Sequence, residues 1–335
     1  MKKSLRIGWL SDDSFDSTEL SYRIPGNLRL FAESFVAAGH SLHAYTPLIK
    51  GDALKANKTI AYEHLLSGAT LKNFDLAIVN SDHHLPLLKA LSADIPVLLL
   101  LNHLPTPDLI CALSTAEPLQ VRGLATSQHL KKCWQDYLSP IFLLPRQIDG
   151  NFWQPLKHPV RDYFVWAEDI TRDSQLETVI SAVKALRKKL FIAGNIKDKP
   201  YFNRHIAPLL DPYAHYTGQL DKTDLRYLLG QARALIFTSE CPTGGYIREA
   251  LALGVPVVAS DVYCVREIVP DSCGIFVKNP SKISWLAALN RVHQCSREAC
   301  VIYANLRWKY SEEDTSELFL SVLESVSETA LLSAA

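Results

Sequence analysis

Short, nearly continuous apolar runs alternate with longer stretches of helical spacing along the whole chain. Residues 5–10 form the first run, and the polar loop after it ends in Arg23-Ile24-Pro25-Gly26-Asn27. Leu28, Leu30, Phe31, Phe35 and Val36 then fall on one helical face, which predicts a helix closed by Gly39. Residues 41–45, 76–79, 97–101, 123–127 and 141–144 read as further strands. Runs such as 76–79 and 97–101, apolar at every position, suit strands covered on both faces of a parallel sheet. The pattern restarts in the second half, with strands expected at 163–167, 190–193, 214–216, 234–238, 257–259 and 274–277. Helical stretches such as 176–186 and 225–232 lie between most of them, and residues 281–335 read as mainly helical with no strand.

Strand and helix alternating twice over predict an α/β protein of two doubly wound, Rossmann-like parallel-sheet domains facing a cleft. The expected join lies near 150–159, where Pro155, Pro159 and several polar residues interrupt both periodicities. The first domain is therefore placed at 1–155 and the second at 156–310. Ligands of open parallel sheets bind beyond the carboxyl ends of the strands. Function is expected in the loops after Leu10, Val79, Leu101, Ala193 and Thr238.

Composition narrows the classes. A chain of 335 residues, 48% hydrophobic and 21% charged, can bury two ordinary cores. Its 35 basic and 35 acidic residues balance, so nothing in the net charge points to nucleic acid as a partner. The seven cysteines form no Cys-x-x-Cys pair and read as reduced thiols buried as small hydrophobes. The apolar run 96–101 is far shorter than the roughly 20 residues that span a bilayer, and acids interrupt the N-terminal apolar run. The expectation is a cytoplasmic protein without a transmembrane segment, with peripheral contact at the inner membrane face left open.

Chemistry concentrates in residues 234–261, ALIFTSECPTGGYIREALALGVPVVASD. A buried strand ends at Thr238, Glu240 emerges from it, and a Pro-Thr-Gly-Gly turn enters a helix expected over 246–253. Thr243 is placed to cap that helix, and Gly244 and Gly245 let the backbone approach a ligand closely. First-turn amides suit a diphosphate, and Glu249 inside the helix suits neutral hydroxyls. Gly254 stops the helix before the next strand.

This segment resembles the retaining glycosyltransferases of the GT-B fold, specifically family four. That family's signature is Glu-x7-Glu-Ala followed by Gly-x-Pro-Val-Val-Ala, matched here by Glu240, Glu249-Ala250 and 254–259. Weaker matches are Arg23–Asn27 with Gly39-His40, Ile148-Asp149 with Phe152 and Pro155, and Ala193-Gly194. The resemblance implies that Glu240 contacts the donor sugar and acts in catalysis, that His103 lies beside that sugar, and that Glu249 holds the ribose hydroxyls. Thr243, Gly244, Gly245 and Tyr246 would lie against the sugar and pyrophosphate, with Gly26 and Gly194 lining the donor site. It also implies a last helix, 311–330, that returns to the first domain.

Two departures from the family pattern stand out. Eight residues, not seven, separate Glu240 from Glu249. In WAEDITRDSQLE, beginning at Trp166, Asp169 and Ser174 occupy the places of the arginine and lysine that neutralise the pyrophosphate in the family. Arg172 and Arg23 are the candidate replacements.

The implied reaction moves a hexose, with UDP-glucose or UDP-galactose as first choice, to a hydroxyl acceptor with retention. The setting would be polysaccharide or glycoconjugate biosynthesis, and the acceptor a glycan, glycolipid or small molecule. No cofactor and no metal are expected, since the chain has no Asp-x-Asp and His83, His84 and His103 lack carboxylates at ligand spacing. The competing expectation is a non-catalytic nucleotide-sugar-binding or partner protein that has lost the phosphate-binding cations.

Overall fold

The computed structural model describes residues 4–10, 39–46, 58–61, 74–79, 95–101, 103–116, 120–144, 146, 148–240, 244–310, 317 and 319–326. The chain divides into two compact units, one of Met1–Gln147 with Tyr310–Ala335 and the other of Ile148–Lys309. The helix expected after Asn27 lies outside the described residues; of the helix expected over 311–330, residues 317 and 319–326 are described and are helical.

The first unit is a seven-stranded sheet. Its strands are β1 (Arg6–Leu10), β2 (Ser41–Thr46), β3 (Lys58–Ala61), β4 (Leu76–Val79), β5 (Val97–Leu101), β6 (Val121–Ala125) and β7 (Ile141–Leu143). They run in the order β3-β2-β1-β4-β5-β6-β7, every neighbouring pair parallel. The period of two along each strand sorts its apolar residues to opposite faces. Ala77, Val79, Val97, Leu99 and Leu101 meet Leu109 and Leu113 of helix α1 (Pro107–Thr115) and Leu130 and Trp134 of α2 (Gln128–Trp134). Leu76, Ile78, Leu98 and Leu100 meet Phe319, Val322, Leu323 and Val326 on the other face. The helical residues 319–326 therefore complete the core of the unit in which the chain began. Thr106 and Ser127 cap α1 and α2 by accepting from the backbone amides of Leu109 and Leu130.

The second unit opens with the two-residue strand β8 (Ile148–Asp149) and holds a six-stranded sheet. The sheet comprises β9 (Tyr163–Ala167), β10 (Lys189–Ala193), β11 (Ala214–Gly218), β12 (Ala234–Phe237), β13 (Val257–Ser260) and β14 (Gly274–Val277). All neighbours are parallel in the order β11-β10-β9-β12-β13-β14. Phe164, Trp166, Leu190, Ile192, Ile236 and Val258 pack beneath α3 (Leu176–Ala185) and its neighbouring helices. Longer helices of this unit are α4 (Lys222–Gly230), α5 (Ile247–Ala252), α6 (Tyr263–Ile268), α7 (Lys282–Arg291) and α8 (Arg297–Trp308). Arg297 ties three of them together: its guanidinium donates to the carbonyls of Gly254 at 2.9 Å, Ala232 at 2.7 Å and Arg233 at 2.8 Å.

Several expectations need correcting. β3 was not anticipated, because Lys-Thr-Ile-Ala carries too little apolar character to read as a strand. α4 starts at Lys222 rather than 225, because the Asp221 carboxylate accepts from the Asp224 amide and caps it there. The region after 281 does contain extended backbone, the two-residue strand Lys309–Tyr310. The described cysteines are not uniformly buried: Cys264, Cys273 and Cys300 are, Cys133 and Cys295 are half-buried, and Cys111 is exposed, while Cys241 lies outside the described residues. Among the described residues no helix is long and apolar enough to cross a membrane.

Candidate functional site

The strand order of the second sheet reverses between β9 and β12, whose connections leave in opposite directions. Such a reversal opens a crevice at the carboxyl ends of the two strands. Three loops end there: 168–175 after β9, 194–198 after β10, and the exit of β12 at 238–240.

Thr238 is the hub of this region. The indole Nε1–H of Trp166 donates to its hydroxyl oxygen at 3.0 Å, and the Ser260 hydroxyl donates to its carbonyl at 3.1 Å. The Glu168 carboxylate accepts from the Thr238 amide at 2.7 Å through Oε1 and from the Ser239 amide at 3.1 Å through Oε2. The single hydroxyl proton of Thr238 is shared between Glu168 Oε1 at 3.0 Å and the Ser174 carbonyl at 2.6 Å, and it can serve one at a time. Glu168 is 7% exposed. Burial raises its pKa above the ordinary carboxylate value, against the opposing pull of the hydrogen bonds from Ser239 and Thr238. Glu240, directly after Ser239, is exposed.

The turn into α5 is set by steric contact. Gly244 and Gly245 have φ of +75° and +46°, in the left-handed region. A Cβ on Gly244 would lie 2.3 Å from Ile268 Cδ1, and one on Gly245 2.8 Å from Phe237 Cε2. Backbone conformation favours glycine at both positions, and at Gly245 the Phe237 ring leaves no room for a side chain either. The Ile247 amide donates to the Gly244 carbonyl at 3.1 Å, closing the turn. Tyr246 is buried and stands at the N-cap of α5 without a side-chain capping bond, and the helix is shorter than expected, Ile247–Ala252. Glu249 lies on α5 and is 3% exposed. Gly254, with φ of +71°, ends the segment as expected. Thr243 lies outside the described residues.

The loops after β9 and β10 are fastened to each other. Gly194 has φ of +142°, and a Cβ there would meet the Glu168 carbonyl oxygen at 1.9 Å. The Ile170 amide donates to the Asn195 carbonyl at 2.8 Å, and the Lys197 amide to the Ile170 carbonyl at 3.1 Å. The Tyr216 hydroxyl holds the Gly194 carbonyl at 2.9 Å.

Two cations stand on these two loops, each beside an aspartate. Ser174 is buried, its hydroxyl donating to the Thr171 carbonyl at 2.7 Å. Asp169 lies 4.0 Å from the amino group of Lys197, and Arg172, largely exposed, is 3.2 Å from Asp198. Arg248 is 3% exposed, with its guanidinium 5.5 Å from the Trp308 ring centroid and Nη1 3.6 Å from where a Cβ on Gly244 would be.

The expected residues are thus distributed as follows. Gly244, Gly245, Tyr246 and Glu249 share one turn and helix, and Gly194 and Arg172 sit on the adjoining loops. His103 belongs to the first unit, where it is exposed and its carbonyl accepts from the Trp134 indole at 2.7 Å. Gly26 and Arg23 lie outside the described residues. Glu168, Lys197 and Arg248 were not among the expected site residues. The only signal in the sequence was an acid ending the apolar run of β9 and two cations, each three positions after a glycine.

Residues 162–294 match the family model described as glycosyl transferases group 1. No curated protein matches the chain. Among solved structures, HepE of Anabaena in complex with UDP-glucose superposes with a TM-score of 0.77 at 13% identity, covering 96% of this chain and 100% of that one. A glycosyltransferase of Rickettsia africae follows with a TM-score of 0.68 at 14% identity, over 97% of this chain and 99% of that one. A glycosyltransferase involved in avilamycin A biosynthesis gives 0.64 at 14% identity, over 97% and 98%. The chain therefore has the GT-B fold, and its second unit carries the sequence pattern of the glycosyl transferases group 1.

Proposed function

We propose that this protein is a metal-independent, retaining hexosyltransferase of family four that takes UDP-glucose or UDP-galactose as donor. The observation that carries the reading is the turn Gly244-Gly245-Tyr246 leading to buried Glu249, beside the β12 exit that presents Glu240. The family match over 162–294 and the UDP-glucose named for the Anabaena structure support it. Glu249 accepts hydrogen bonds from the ribose hydroxyls, and the turn amides lie against the diphosphate. The bond between the anomeric carbon and the diphosphate breaks, its electron pair passing to the phosphate oxygen. An acceptor hydroxyl bonds to the same face of that carbon and its proton goes to the departing diphosphate. Glu240 stabilises the positive charge that develops on the sugar ring. His103 is assigned to the sugar, and Lys197 with Arg172 to the phosphates. The acceptor is a hydroxyl of a glycan, glycolipid or small molecule.

Thermal unfolding with UDP, GDP, ADP and TDP tests the reading. A nucleotide at 100 times its dissociation constant stabilises the fold by about 2.7 kcal/mol. UDP is expected to do so, and the absence of a shift with all four overturns the proposal. A second reading, a nucleotide-sugar-binding protein without turnover, is favoured by Asp169 and Ser174 standing where cations are expected. Binding of UDP-glucose without release of UDP or transfer of glucose, with a panel of hydroxyl acceptors, would select it.

A further inference from the structure

β9 and β12 pair from Ala234↔Phe164 to Ile236↔Trp166, and then the backbone ladder stops. From that point the Glu168 side chain takes over. Its two oxygens receive the next two useful amides of the neighbouring strand, those of Thr238 and Ser239, so a carboxylate continues the pairing that the backbone has abandoned. The place is the strand-order reversal, and the residue after Ser239 is Glu240.

The chemistry of this contact is demanding. Each carboxylate oxygen accepts from a different amide, so the group must offer two acceptors. A glutamine offers one acceptor oxygen, and its amino group would point its own hydrogens at an N–H. An aspartate has the right oxygens on a stem one methylene shorter. An apolar residue would leave the buried amide of Thr238 and the half-buried amide of Ser239 without this partner. Burying a carboxyl group is itself unfavourable, as the upward pull on its pKa records. A segment that needed only packing would not use one.

We infer that Glu168 is a positioning residue of the donor site: by holding the amides of Thr238 and Ser239 it fixes the direction in which Glu240 leaves β12. The inference rests on the donor-site reading above and adds to it a residue outside the family signature. The Asp169 alignment puts Glu168 at the glycine of the Gly-Arg pair. The network also explains why Trp166 and Ser260 converge on Thr238, since they anchor the same short segment from both sides.

The test uses Glu168→Gln in the full chain, with two readouts. Amide hydrogen exchange without ligand should accelerate about tenfold or more at Thr238 and Ser239, while β9 and β13 keep their protection. Calorimetry should show UDP affinity within about threefold of the wild type, with the added affinity of UDP-glucose over UDP lost. Unchanged exchange at 238–239 overturns the inference, and so does a retained preference for UDP-glucose. Faster exchange throughout the second unit, with both affinities falling by the same factor, also overturns it, because that is the signature of general loosening. If the wild type binds neither nucleotide, the donor reading fails, and the exchange measurement alone decides whether Glu168 holds this segment. Should Glu168→Gln not accumulate as folded protein, Glu168→Asp is measured in the same way and judged by the same outcomes.

Discussion

Gly194 lies so close beneath Glu168 that a methyl group on it would come within 1.9 Å of the Glu168 carbonyl oxygen. The contact locks the loop after β10 against the loop after β9, and the φ of +142° at Gly194 leaves no relaxed alternative for a larger residue. Gly194→Ala must displace one loop or the other. We expect a loss of about 3 kcal/mol from steric and backbone strain, and a fall in Tm of roughly 6–12 °C by thermal unfolding. A variant as stable as the wild type would show that the two loops part easily.

Lys197 and Asp169 form a weak pair at 4.0 Å, both partly exposed. With Lys197 proposed at the donor phosphates, a bound diphosphate would compete with Asp169 for that cation. Lys197→Met should weaken UDP binding about tenfold, and Asp169→Asn should strengthen it by a smaller factor, both measured by calorimetry at low salt. Equal affinities for the wild type and Lys197→Met would remove Lys197 from the phosphate site.

The two acids of the signature should separate by experiment. With Glu249 proposed as the acceptor for the ribose hydroxyls, Glu249→Ala should lower UDP affinity about 10- to 100-fold. Glu240→Ala should leave UDP affinity within about threefold and reduce sugar transfer about 100-fold or more. The opposite division would mean that their roles are exchanged.

Arg297→Ala strips the carbonyls of Gly254, Ala232 and Arg233 of their shared donor. Leaving them without it should cost about 3 kcal/mol, readable in urea unfolding as a lower midpoint with little change in slope. Arg297→Lys, a point charge without the planar fork, should recover only part of that loss.

Glu168 also gives stability a pH signature. Its folded pKa is raised above 4.5 by burial, so the folded state binds this proton more tightly than the unfolded chain does. The stabilisation is complete below about 4.5 and is lost as pH rises through the folded pKa. Subtracting the unfolding free energy of Glu168→Gln from that of the wild type should therefore give a difference that falls with rising pH. A flat or rising difference would contradict the direction of the shift.

Much of the fold was legible because parallel strands buried on both faces read as unbroken apolar runs. Leu76–Val79, Val97–Leu101 and Tyr163–Ala167 were located to the residue. Gly254 announced its helix stop because a positive φ leaves few other choices. β3 escaped because Lys58–Ala61 has one large apolar side chain and owes its extended form to pairing with β2. At the site, the Gly-Gly turn and Glu249 were visible because they sit on one continuous segment. Glu168 was not, since its partners lie 70 and 71 positions further on and no spacing rule links the ends of two strands brought together by topology. Lys197 and Arg248 were hidden for the same reason: a cation's use is decided by its neighbours in space.

The first unit takes one face of its core from Phe319, Val322, Leu323 and Val326, almost the last residues of the chain. During synthesis, Leu76, Ile78, Leu98 and Leu100 must wait for these four partners while the whole of the second unit is made. Ile148–Lys309 is contiguous and can close as soon as it clears the ribosome. The first sheet therefore matures after the second unit, and a chain cut short near residue 310 would carry a finished second unit joined to a first unit that lacks Phe319, Val322, Leu323 and Val326.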